Sequence, residues 1–233
     1  MYEQHNNLEK TKYICKKVIP FLMGSVGLIA TKANIEKTFI ILAEADEYIE
    51  EQLQKTGLIK EVLIITTEDK ASKFKDKIDK LNLKHKKHIF ISLNYSFNIE
   101  ENFSNFKNET KQYGLIFIDS LLSFYLGNKN DNSDAKKFMI PFVRLADERN
   151  QNIIFLHHLD KEGKRIDIAG AFIDATRLTY YVTKETQLEN ISRLRFEVQK
   201  QNDELKFIKK LDNITSESEI ASFLIDVFCE DEK

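Results

Sequence analysis

Lys37 and Thr38 are the residues whose types and spacing speak most directly of chemistry. An ammonium followed by a hydroxyl, where a loop turns into a helix, suits a polyphosphate and its cation: the ammonium meets the β and γ phosphates and the hydroxyl ligates Mg²⁺. Residues 23–43 read MGSVGLIATKANIEKTFIILA, an apolar β-rich run, eight loop residues ending in Lys37-Thr38, and then a helical run. The helix start would add its dipole and its unpaired N–H groups. Such a loop normally carries glycine at its first and sixth positions. Here Thr31 and Glu36 stand there, and the loop Thr31, Lys32, Ala33, Asn34, Ile35, Glu36, Lys37, Thr38 has no glycine at all.

Both replacements have a physical cost. Glycine allows close backbone approach and positive φ, whereas a β-branched threonine is stiff and disfavours it. Glu36 sets a carboxylate beside the lysine that should meet a polyanion. Like charges a few ångströms apart repel by about 1 kcal/mol in water and roughly 4 kcal/mol at an effective dielectric of 20. A Glu36–Lys37 contact would also occupy the ammonium.

Three more groups lie at the ends of apolar runs. LIFIDS, 115–120, ends its run in Asp119, a carboxylate placed to hold Mg²⁺ through water; aspartate at a strand end also simply favours a turn. TTED, 66–69, offers Glu68 and Asp69: Glu68 could orient or deprotonate water, while Asp69 reads better as a helix N-cap. FLHHLDK, 155–161, ends in two histidines. Neighbours on a strand point to opposite faces, so both cannot easily bind one ion, and either His157 or His158 could sense a phosphate.

The elements that must position these groups follow from pattern. Strands are expected at Val26 to Ala30, Glu61 to Thr67, His88 to Leu93, Gly114 to Asp119 and Asn152 to His157, each almost continuously apolar as in a parallel sheet covered on both faces. Helices are expected at Lys37 to Thr56, Ala71 to Leu81 and Asp134 to Asn150. This alternation implies an α/β fold with a mostly parallel central sheet flanked by helices. Antiparallel strands are expected near the C-terminus, at Leu178 to Thr183, Leu194 to Lys200 and Leu205 to Lys210, with a turn at Gln201-Asn202-Asp203 and a terminal helix from Ser218 to Phe228. Asn128 to Ser133 reads as a disordered piece. The basic run Lys84 to His88 reads as a solvated turn, and Phe97, Phe103 and Phe106 as packing of a short helix.

The 233 residues suffice for one α/β domain with a sizeable core. A net charge of −2 gives no global pull toward nucleic acid or anionic membrane. Cys15 and Cys229 read as free thiols of a reducing cytosol, no apolar run is long enough to span a bilayer, and a polar start from Met1 to Lys12 is no leader segment. The expectation is a cytoplasmic chain.

Taken in order, the Lys-Thr loop, IITTEDK, YGLIFIDSLLSF, FMIPFVRLADE, IIFLHHLDKEG and AGAFIDATRLTYYV resemble the RecA-like P-loop ATPases of the RepA helicase type over residues 13 to 210. The segments D-S-L-x-S-F and F-L-H-H-x-x-K and the spacing of Gly170, Asp174 and Arg177 carry most of that resemblance. It implies one RecA-like domain over 1–233, with 13–210 as core, 1–12 as an N-terminal extension and 211–233 as a C-terminal helix and tail. It implies ATP and Mg²⁺ as cofactors, residues 31–38 around the phosphates, Thr38 and Asp119 at the metal, Glu68 on water and His157 or His158 at the γ-phosphate. Arg177 would act on a neighbouring subunit's nucleotide, with Lys200 a second cation for the same edge. Lys161, Lys164 and Arg165 would line a channel for single-stranded DNA. The implied protein is a homo-oligomer, as a hexameric ring, serving plasmid, phage or mobile-DNA replication. Two readings stay open: an ATP hydrolase, or a scaffold that has lost hydrolysis and serves as a DNA-binding or assembly subunit. A small-molecule kinase would need an arginine-rich lid, which the sequence lacks.

Overall fold

Six strands form one parallel sheet whose inner members are apolar runs buried on both faces, while its edge strand at 89–93 is only partly covered. A computed structural model describes residues 13–14, 19–32, 35, 37–67, 70–93, 99–160, 162, 165–188, 191–201 and 222–228. In chain order the elements are β1 (Tyr13–Ile14), β2 (Phe21–Leu22), β3 (Val26–Thr31), α1 (Lys37–Thr56), β4 (Glu61–Thr66), α2 (Ala71–Leu81), β5 (Ile89–Leu93), α3 (Ile99–Glu109), β6 (Tyr113–Asp119), α4 (Leu121–Phe124), α5 (Asn132–Arg149), β7 (Asn152–His158), α6 (Gly170–Ala175), β8 (Leu178–Leu188), β9 (Ile191–Gln201) and β10 (Ser222–Phe228). The large sheet has the order β10-β9-β8-β3-β7-β6-β4-β5. From β8 to β5 all neighbours are parallel, while β9 and β10 extend the sheet antiparallel. This is the RecA-like P-loop arrangement, with β7 between the strand that enters the phosphate loop and the strand that ends in Asp119.

Two cores sandwich the sheet. One lies under α1 and α2 and includes Ile29, Ile41, Ile64, Phe117, Ile154 and Leu156. The other lies under α3, α4, α5 and α6 and is rich in aromatics: Phe142 meets Phe103, Phe106 and Phe155 edge-on, with ring centroids 5.4, 5.4 and 5.2 Å apart. Phe103 and Phe106 thus pack α3, as the sequence suggests, and Phe97 lies outside the described residues. Gly27 is needed on β3, since a Cβ there would come within 2.6 Å of the Phe21 ring. Left-handed caps normally given to glycine are filled by Asn82 (φ 49) and Asn150 (φ 52), which end α2 and α5.

Two expectations are corrected. Where a terminal helix was expected from Ser218 to Phe228, Ser222–Phe228 is a strand paired antiparallel with β9 from Ile191 to Glu197. The run SFLIDVF suits either period, and the unpaired edge of β9 decides in favour of strand. Where Asn128 to Ser133 was expected to be disordered, it forms an ordered turn and helix start. The Asp131 carboxylate caps α5 by accepting from the Ser133 and Asp134 amides, and the Tyr125 hydroxyl donates to the Asn128 carbonyl. Asn202, Asp203 and the strand expected at Leu205 to Lys210 lie outside the described residues, as do Cys15 and Cys229. His85 in the basic run donates its amide to Asp46 and pairs its ring with Glu50 at 2.8 Å.

Candidate functional site

Strand parity decides which side chains face α1. In β6, Leu115 and Phe117 belong to the core under α1 and Ile116 and Ile118 to the opposite core. A two-residue period then places Asp119 on the α1 face. In β7, Ile154 and Leu156 lie under α1, so His158 shares that face, while His157 falls on the other side with Ile153 and Phe155. In β3, Ile29 lies under α1 and puts Thr31 on the same face.

Register brings these tips together. Thr31 lies opposite His158, and Asp119 lies opposite Leu156, so β7 runs two residues past Asp119. Lys37, the first residue of α1, reaches across β7 into that space. Its Nζ is 2.8 Å from Asp119 Oδ1 and 3.1 Å from His158 Nε2. Lys37 and Asp119 are 6% and 2% exposed, whereas His158 is open to solvent. One ammonium therefore joins a helix start to two strand ends. The peptide bond between Asp119 and Ser120 is cis, and Ser120 Oγ meets Ser123 Oγ at 3.1 Å.

The loop itself departs from the expected cost at its first position. Thr31 is the last residue of β3: its carbonyl accepts from the Leu159 amide, and Lys32 donates to the Val182 carbonyl. Extended backbone is what a β-branched residue prefers, so no glycine is required there. The Thr31 hydroxyl is fully buried with no hydrogen-bond partner among the described residues. Lys32 is exposed, Ile35 is buried and donates its amide to the Lys32 carbonyl, and Thr38 is buried beside Lys37. Ala33, Asn34, Glu36, Glu68, Asp69, Lys161 and Lys164 lie outside the described residues.

This donor set fits a polyphosphate with a hard divalent cation. The ammonium and the first-turn amides of a 20-residue helix with no acid in its first turn attract anions. The Thr38 hydroxyl and the Asp119 carboxylate are oxygen donors of the kind Mg²⁺ takes.

Two other groups lie apart. His157 is buried on the α5 face, away from the Lys37 centre. Arg177 donates its amide to the Val26 carbonyl, at the opposite end of β3 from Thr31, roughly 16 Å along the strands. It lines a cleft of about 510 Å³ with Lys136, Ile140, Val143, Arg144 and Asp174. Lys200 pairs with Thr179 and so shares that edge.

The segment after β7 is held at its root. Leu159 bridges Ile166, the Asp160 amide donates to the Arg165 carbonyl, and Arg165 Nε lies 3.4 Å from Asp160 Oδ2. The Lys129 ammonium donates to Asp167 at 2.6 Å, which holds that carboxyl below the ordinary aspartate range.

Sequence reading left His157 and His158 undecided. The signal was present: alternate residues of a doubly covered strand can be assigned once one core face is known. No helix among the described residues is long and apolar enough to cross a membrane. A family model described as an AAA domain matches residues 3–164, which include the loop, Asp119 and His158. No curated protein matches the chain.

Proposed function

This chain belongs to the AAA-domain family of P-loop ATPases, and from that premise we propose that it is a DNA-associated, helicase-like ATP hydrolase of the RepA type that works as a homo-oligomeric ring. The observation that carries the reading is the buried Lys37 ammonium, held between Asp119 at the end of β6 and His158 at the end of β7. Lysine, carboxylate and an imidazole from separate elements meet at the carboxyl edge of a parallel sheet, where ligands of such sheets bind.

ATP would supply the phosphoanhydride to be cleaved, with Mg²⁺ neutralising its oxygens. Lys37 and the α1 amides bind the phosphates. Thr38 and Asp119 hold the cation, Glu68 orients water, and His158 faces the terminal phosphate. Lys161, Lys164 and Arg165 hold a single strand through its backbone. Arg177 sits too far from its own chain's Lys37 to serve there, which supports action on a neighbour's nucleotide.

The second reading, a scaffold with hydrolysis lost, is favoured by the glycine-free loop and by the prior engagement of Lys37. Steady-state ATP turnover with and without single-stranded DNA separates the two. Turnover that rises with DNA and vanishes in Lys37→Ala supports the motor. DNA binding with no turnover, in a chain that still binds ATP, supports the scaffold.

A further inference from the structure

A lysine that grips phosphate must point N–H bonds at it. One such direction on Lys37 is used by His158 Nε2 at 3.1 Å, and the Asp119 carboxylate lies 2.8 Å away as its ion-pair partner. An ammonium only donates, so Nε2 of His158 is the acceptor and its ring carries the proton on Nδ1. The two partners differ in kind. Asp119 is 2% exposed and forms an ion pair with Lys37. His158 offers a ring nitrogen, is open to solvent, and sits two residues farther along the sheet edge.

We infer that His158 is a latch on Lys37, a positioning residue that holds the ammonium toward β7 and competes for it with an incoming phosphate. This rests on the nucleotide-site reading and adds a regulatory step to it. A buried ammonium needs acceptors. The imidazole supplies one and gives it up as phosphate oxygens take its place. Affinity for nucleotide is then set partly by the strength of the contact that phosphate must break. The glycine-free loop and the latch act in the same direction, toward weak binding.

The test is a calorimetric titration of Mg²⁺-ATP into the full chain, its His158→Ala and His158→Gln variants, and Lys37→Ala. Loss of one competing hydrogen bond should tighten binding in His158→Ala by about three- to tenfold. His158→Gln places an amide oxygen at the same reach from Cβ as Nε2 and should return affinity to that of the natural chain. If the natural chain binds too weakly to measure, gain of binding in His158→Ala supports the latch. Unchanged or weaker binding in His158→Ala overturns it. Binding that Lys37→Ala abolishes but His158→Ala leaves unchanged overturns the latch alone, and no binding in any variant removes the nucleotide site as well.

Discussion

The two edges of the parallel sheet carry cations in opposite circumstances. At the carboxyl edge Lys37 is buried and held within its own chain by Asp119 and His158. At the amino edge Arg177 is exposed in a cleft with Lys136 and Arg144, where Asp174 is the one acid in the lining. The first edge is a closed electrostatic unit that folding must satisfy. The second presents positive charge outward, which suits an anion brought by another molecule. Stability and activity should therefore respond differently to the loss of either cation.

The largest effect expected is on turnover. Arg177→Ala should reduce ATP hydrolysis by about 10³-fold or more, the range for an arginine acting on a transferring phosphoryl group, while leaving ATP affinity intact. Mixing it with Lys37→Ala should restore part of the activity, because hybrid interfaces pair one intact Lys37 with one intact Arg177. No recovery on mixing would break the assignment of the amino edge to a neighbour.

Next comes stability. Lys37→Ala leaves Asp119 buried without its cation and should cost roughly 3–5 kcal/mol in urea unfolding. Arg177→Ala should stay within about 0.5 kcal/mol. Equal losses would mean that the edges do not differ as described.

Thr31→Val sharpens the picture of the loop. Replacing a buried hydroxyl that lacks a partner among the described residues by a methyl of the same shape should be neutral or stabilise by about 1 kcal/mol. A loss of ATP affinity in a chain of unchanged stability would assign that hydroxyl to the nucleotide.

The smallest effect concerns the loop root. The Lys129 hydrogen bond depresses the folded pKa of Asp167. Its contribution is therefore present above the ordinary aspartate value and is lost as pH falls through the depressed one. Asp167→Asn should remove it at every pH, read as faster hydrogen exchange at Ala169, whose amide donates to the Lys129 carbonyl.

Much of this frame was legible in the sequence, for physical reasons. α1 and α2 begin and end where the periodicity placed them, Lys37–Thr56 and Ala71–Leu81. Four of the five expected parallel strands are nearly unbroken apolar runs buried along their length, and the fifth, at 89–93, is a partly exposed edge. Asp119 was legible as the polar end of such a run. β10 was not, because SFLIDVF pairs only across the sheet and its local pattern fits a helix equally well. The ordered turn before α5 escaped for a related reason: NKNDNS looks like solvent-seeking composition until Asp131 is seen capping the helix. Thr31 misled in the other direction, since aligning the loop by residue count placed it in a turn when it completes a strand. In a chain with seven glycines, asparagine takes the left-handed caps at 82 and 150. Scarcity of glycine in the loop is thus part of a wider habit of the sequence.

The central claim is that Lys37 at the carboxyl edge binds phosphate. Calorimetric titration of Mg²⁺-ATP into the natural chain and into Lys37→Ala, with Glu36→Gly alongside, tests it most directly. The account predicts saturable one-site binding by the natural chain that Lys37→Ala abolishes and Glu36→Gly tightens. No binding by the natural chain or by Glu36→Gly, or binding that survives the loss of Lys37, would contradict it.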